Sequence, residues 1–254
     1  MTTDKRRKEI GLKVKIGSEF IKFCASAKGA GMIAPHLATL LAFVTTDAHI
    51  AKDALRSALK AAVEDSFNCI SIDGDMSTND TIMVLANGAV ENAEIQLGTP
   101  EYEIFETTLK EICLQLAKEI VKDGEGASKF INFTVKGAAS LEDAKNIAFG
   151  VANSLLFKTA CFGMDPNWGR ILAAAGSVEK VKFDPDKVTL HIGEHLTVEN
   201  GNISPSYNEP EVARYLKKKE ISFILDLNLG KHEKTVYTTD ISFEYVRVNS
   251  SYKT

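Results

Sequence analysis

The chain has 254 residues, which fits one large domain or two ordinary ones. Its 44% hydrophobic and 25% charged residues, with 17 Gly and 6 Pro, exclude a disordered, collagenous or low-complexity chain. Thirty basic against 34 acidic residues give a net charge of −4 with no basic stripe, which speaks against a nucleic-acid or anionic-membrane surface and for a small-molecule substrate.

The opening MTTDKRRKEIG carries a basic cluster from Lys5 to Lys8, but no apolar run follows as a secretory signal requires. No stretch approaches the ~20 apolar residues of a membrane span. Residues 12–24 hold two alternating runs around Gly17-Ser18, a hairpin signal. A small-residue loop over 25–35 follows, with Pro35 biasing Ala34 toward extended geometry. Residues 40–44 predict a strand, and Asp47 a cap for the helix marked by Ala51, Leu55, Leu59 and Ala62. Residues 69–72 and 81–86 predict strands joined by the polar segment 73–80. A long helix is predicted over 100–121, with Pro100 in its first turn, Phe105, Leu109, Ile112, Leu116 and Ile120 as its buried face, and Gly124 beyond its end. Residues 130–135 predict a strand, and Leu141, Ala144, Ala148, Val151 and Leu155 the buried line of a further helix. Asp165-Pro166-Asn167-Trp168-Gly169 reads as a tight turn burying the only tryptophan, in a structural role. The tail alternates strands around 187–199, 221–228 and 235–248 with a helix near 209–219 capped by Asn208. Without a clean βαβ rhythm, the pattern predicts an α+β fold of layered sheets covered by helices.

Several motifs lead nowhere. Gly29-Ala30-Gly31 lacks the third glycine of a dinucleotide site, and Lys28 precedes the glycines where a phosphate loop places it after them. Asp73, Asp75 and Ser77 begin like a calcium loop, but Thr78 and Val84 stand where Gly and a carboxylate are needed. His191 and His195 are spaced H-x-x-x-H without the metalloprotease glutamate, so no metal site is assigned. Cys24, Cys69, Cys113 and Cys161 lie more than 40 residues apart and predict reduced core thiols of a cytoplasmic protein.

The run from Lys28 through Met32-Ile33-Ala34-Pro35-His36-Leu37-Ala38-Thr39 to Phe43 permits a specific chemistry. The Thr39 hydroxyl can attack the unhindered Ala38 carbonyl in an N-to-O acyl shift, and hydrolysis of the ester frees Thr39 as a new N-terminus. A free α-amine titrates near ~7.7–8.0 and can serve as general base for its own hydroxyl. On local grounds alone, Thr39 reads first as a β-branched residue entering a strand.

This run resembles the self-processing site of the glutamate N-acetyltransferase family, also called ornithine acetyltransferase. Four further segments fit the same family: 73–81, 123–127, 158–171 with its D-P-N-W-G-R-I element, and the terminus 249–254. The resemblance implies an αββα arrangement of the DmpA/ArgJ kind. It also implies self-cleavage between Ala38 and Thr39, dividing the chain into 1–38, the end of a first chain, and 39–254, the second. Thr39 matches the nucleophile that carries acetyl from N2-acetyl-L-ornithine to L-glutamate in arginine biosynthesis, and acetyl-CoA is a second candidate donor. Thr2, Lys28, Thr39, Glu125, Asn249 and Thr254 match substrate-binding positions. Lys28 suits a carboxylate and Glu125 an ammonium group. No metal or organic cofactor is implied; two copies of each chain are.

Two departures accompany the resemblance. His36 stands where most relatives carry Asn. Family members also carry a long segment before M-T-T-D, including a Thr-Gly pair for the oxyanion hole that nothing in the first 38 residues matches, so the chain is expected to be N-terminally incomplete. Loss of one such donor costs ~10²–10³ in rate, and a missing segment leaves sheet edges and core unpaired. Alternative readings are an amino-terminal-nucleophile aminopeptidase or amidase, and an inactive fragment or subunit that needs a separate N-terminal piece.

Overall fold

A computed structural model describes residues 3–34, 40–77, 79–179 and 181–251. They form two compact units, Met1–Gly124 and Glu125–Thr254. These units and the expected cleavage products divide the chain at different places.

The first unit is a four-stranded sheet in the order β1-β2-β3-β4, formed by β1 (Lys8–Ile16), β2 (Glu19–Lys28), β3 (Leu41–Thr46) and β4 (Thr81–Ala86). Gly17 makes the expected hairpin possible by taking φ +61°, a conformation open to glycine without a Cβ clash. The hairpin is longer than its alternation suggests: Lys8 pairs with Ala27, so residues 25–28 continue β2 instead of forming a loop. β3 runs antiparallel to β2, and β4 parallel to β3 through the crossover helix α1 (Lys52–Glu64). Asp47 does not cap α1. The N-cap is Ala51, without a side-chain bond, and Asp47 accepts from the Lys22 amide at 2.8 Å. The buried line of α1 is Ala54, Ala58 and Ala62, one residue round from the leucines, which leaves it flat enough to lie against α2 (Pro100–Lys122). Thr99 caps α2, and its five expected apolar residues are all buried, with the Phe105 ring 5.2 Å from that of Phe23 on β2. Each such side chain contributes ~1.5–3 kcal/mol of burial. Residues 69–72 do not form a strand; a single 3-10 turn, Phe67–Cys69, precedes extended Ile70, and the chain bends from Ile72. The opposite sheet face exposes Phe20, Phe43, Met83 and Leu85.

The second unit is a six-stranded sheet in the order β10-β5-β9-β6-β7-β8. Its strands are β5 (Phe130–Ala138), β6 (Thr189–Ile192), β7 (His195–Glu199), β8 (Asn202–Ile203), β9 (Glu220–Asp226) and β10 (His232–Thr239). Among the described residues of this unit, β5 and β9 are the pair that runs parallel. Between them in sequence lie α3 (Leu141–Ala152), α4 (Leu155–Gly163), α5 (Trp168–Gly176) and α6 (Glu209–Tyr215). Phe133, Phe157 and Phe223 close the core, with ring centroids 5.1–6.2 Å apart. Ala144, Ala148 and Val151 are buried as expected; Leu155 is exposed because α3 ends at Ala152 and α4 starts a new axis, and Leu141 is exposed at the first position of α3. Asn208 caps α6 as expected. Trp168 is half-buried at the start of α5, not enclosed in a turn. Residues 243–251 form α7 (Phe243–Ser251) where a strand was expected, since Ser242 supplies a cap that outweighs the β-branched content. Cys69, Cys113 and Cys161 are buried thiols, with burial pushing Cys113 up to about 12, whereas Cys24 is exposed.

Candidate functional site

In the first unit Lys28, the expected site residue that is among the described residues, stands at the C-terminal end of β2. Lys28, half-buried, is its last residue, and its charge acts on both Asp4 and Asp80. Asp4 accepts the Gly29 amide at 2.8 Å and the Lys8 ammonium at 2.7 Å. Burial works against its charge, but those donors and the neighbouring lysines hold its carboxyl below the usual range. Lys8 also reaches Asp123 at 2.6 Å, and none of the three side chains is more than 4% exposed. Asp123 closes α2 at the end where a carboxylate opposes the helix dipole. The Lys8 ammonium and the amides of Lys5 and Arg6, at 3.0 and 3.2 Å, compensate it. One buried cluster thus ties Asp4, the end of β2 and the end of α2 together.

The polar segment 73–80 is more than a turn between strands. Asp73 accepts the amides of Met32 at 2.7 Å and Ile33 at 2.9 Å, and the Ile33 carbonyl accepts from the Ile72 amide at 2.8 Å. Asp80 accepts the Leu40 amide at 2.7 Å, and the Leu40 carbonyl accepts from the Thr81 amide at 3.1 Å. The Leu41↔Thr81 register of β3 and β4 sets Asp80 beside Leu40. Burial pushes both carboxyls above the ordinary range, outweighing the amides they bind. Oδ2 of Asp80 is buried with no hydrogen-bond partner among the described residues. The residues so gripped flank the run 35–39; Thr2, His36, Ala38, Thr39 and Thr254 lie outside the described residues.

In the second unit Glu125 and Asn249 come together across 124 positions of sequence: Asn249 Nδ2 donates to Glu125 Oε2 at 2.9 Å. Asn249 sits near the end of α7, a helix with no buried residue and therefore little packing to hold it. A polar key does so. The Ser242 hydroxyl donates to the Gly126 carbonyl at 2.6 Å and accepts the amides of Glu244 and Tyr245. Gly126 has φ +65°, and a Cβ there would lie 2.2 Å from the Tyr245 nitrogen. Gly126→Ala is therefore expected to lift α7 off the loop, adding ~1–3 kcal/mol of local strain. Faster amide exchange across 243–251, with β5 and β9 unchanged, is the measurement that checks it.

The matched segment 158–171 makes its contacts within the second unit. Lys158 is buried and donates to Thr238 Oγ1 at 2.9 Å and to the Thr239 carbonyl. Asp240 accepts the amides of Ser128 and Lys129 at 2.8 and 2.9 Å. Asn167 caps α5, and Arg170 reaches the Leu156 carbonyl on α4 at 3.0 Å. His191 and His195 lie on the β6–β7 hairpin, and no group of His, Cys, Asp or Glu among the described residues could hold a metal. Among those residues no helix is long and apolar enough to cross a membrane. Sequence reasoning passed over Asp4, Lys8, Asp73, Asp80, Gly126 and Ser242 as site-builders. Asp73 and Asp80 stood inside a matched segment, which was the available signal.

The ArgJ family pattern matches residues 1–254. The chain is 45% identical over 254 residues to the arginine biosynthesis bifunctional protein ArgJ of Symbiobacterium thermophilum, covering 100% of this chain and 63% of that protein. The protein of the same name from Dehalococcoides mccartyi is 46% identical over 255 residues, covering 100% of this chain and 62% of its own. The chain thus spans about 63% of the length of these curated relatives. Among solved structures, the arginine biosynthesis bifunctional protein ArgJ of Bacillus halodurans aligns with a TM-score of 0.79 at 36% identity, over 83% of this chain and 98% of that one. The ArgJ-like fold implied by the sequence resemblance is the fold observed.

Proposed function

Because the chain belongs to the ArgJ family, we propose that it transfers acetyl from N2-acetyl-L-ornithine to L-glutamate through an ester on Thr39, as part of arginine biosynthesis. The family match over the whole chain carries this reading. In the first half-reaction Thr39 Oγ attacks the acetyl carbonyl, the amide C–N bond breaks, and the hydroxyl proton passes by way of the Thr39 α-amine to the leaving α-amine of ornithine. In the second the α-amine of glutamate attacks the ester, and the proton it gives up returns to Thr39 Oγ as N-acetylglutamate leaves. Protein groups alone suffice for this route. Lys28 pairs with a substrate carboxylate, and Glu125, oriented by Asn249, holds an ammonium group, which a zwitterion with a charged side chain requires. Thr2 and Thr254 complete the substrate contacts. Acetyl-CoA serves as a second donor; the relatives' description as bifunctional supports a second activity.

The free α-amine arises by cleavage between Ala38 and Thr39. The six β2–β3 pairs from Phe23↔Thr46 to Lys28↔Leu41 support a cut that leaves residues 1–38 and 39–254 joined in one sheet. The processed chains assemble as two copies of each in the cytoplasm. With acetylornithine and glutamate supplied to the 254-residue chain, N-acetylglutamate and ornithine are expected to form in equal amounts, read by mass spectrometry. Release of free acetate independent of glutamate would favour the amidase alternative.

A further inference from the structure

We infer that Ser71, Ile72, Asp73, Asp80 and Thr81 form a two-point clamp on the chain either side of the Ala38–Thr39 bond, with Asp73 and Asp80 as its positioning residues. The inference rests on the self-cleavage proposed above and adds to it the groups that set its geometry. Each point is gripped at both backbone atoms. The Ile33 amide goes to Asp73, and its carbonyl accepts from the Ile72 amide at 2.8 Å and the Ser71 hydroxyl at 3.4 Å. The Leu40 amide goes to Asp80 and its carbonyl to the Thr81 amide. Both grips come from one short stretch of chain, 71–81, whose last residue opens β4 in the sheet. An N-to-O acyl shift requires the hydroxyl to meet the preceding carbonyl along a narrow approach, and a misplacement of ~1 Å costs on the order of 10²-fold. Holding the segment at both ends limits the conformations among which that approach must be found. The arrangement costs stability, because both carboxylates are half-buried and a partly desolvated charge is only offset by the hydrogen bonds it accepts.

The test compares the rate at which the purified chain splits into residues 1–38 and 39–254, followed by intact mass, in the parent, Asp73→Ala, Asp80→Ala and Asp80→Asn. Each alanine variant is expected to slow cleavage roughly 10²-fold. Asp80→Asn offers Leu40 the same acceptor oxygen and is expected to recover most of the rate. Since burial raises the Asp80 carboxyl, its ionised form opposes folding above the ordinary carboxylate range. Removing the charge is therefore expected to leave the melting temperature at pH 7 at or above the parental value. Parental cleavage rates in both alanine variants, or no recovery in Asp80→Asn, overturn the clamp. A parental chain that stays uncut overturns the self-cleavage reading instead, and amide exchange then decides the clamp. Protection must fall at Met32 and Ile33 in Asp73→Ala alone and at Leu40 in Asp80→Ala alone; unchanged exchange overturns it.

Discussion

Thr39→Ala is expected to remain a single 254-residue species and to transfer no acetyl group. The substitution removes the one atom that both reactions share. Without Oγ there is no acyl shift from Ala38, hence no free α-amine at position 39, hence no general base and no ester-forming nucleophile. Removal of a catalytic nucleophile of this type costs on the order of 10⁶-fold in turnover, beyond the detection range of most assays. Intact mass and the N-acetylglutamate assay read the two losses separately. Continued cleavage would move the nucleophile elsewhere, and continued transfer by an uncut chain would sink the amino-terminal mechanism. Because the side chain is small, the first unit should melt where the parent melts, which separates this loss from unfolding.

Lys8→Ala is expected to have the largest effect on stability. The Lys8 ammonium is buried between Asp4 at 2.7 Å and Asp123 at 2.6 Å. Its removal leaves two buried carboxylates without the cation between them. Breaking a buried pair in this way costs ~3–5 kcal/mol, a large share of the ~5–15 kcal/mol that holds a domain together. The midpoint of urea unfolding should fall accordingly, with the loss in the first unit. Lys110 provides the contrast: it pairs with Glu106 at 2.7 Å on one face of α2, but both side chains are partly exposed. Lys110→Ala is expected to cost under ~0.5 kcal/mol. Equal losses in the two variants would show that burial of the Lys8 cluster contributes nothing. The distinction bears on function, because the same cluster holds Gly29 beside Lys28 and lies two residues from Thr2 and Glu125 in the chain.

Local signals carried far along this chain. The Gly17-Ser18 hairpin, the buried face of α2 and the Asn208 cap follow from alternation, helical spacing and cap chemistry, which depend on residues within one or two turns of each other. Where two local signals competed, a prediction failed. Residues 243–251 are rich enough in β-branched and aromatic side chains to suggest a strand, yet Ser242 caps them into a helix.

The sequence by itself determined the α+β class, most elements, and five ordered segments that carry the family chemistry, because periodicity, turn residues and motif spacing are written in consecutive positions. Only the tertiary structure decided that Asn249 meets Glu125, that Lys8 is buried between two carboxylates, and that Asp73 and Asp80 hold the two flanks of the 35–39 run. Those contacts span about 40 to 124 positions, apart from the Asp4 side of the Lys8 cluster. They depend on strand register: a slip of one residue between β3 and β4 would turn Asp80 away from Leu40 and leave every local signal unchanged.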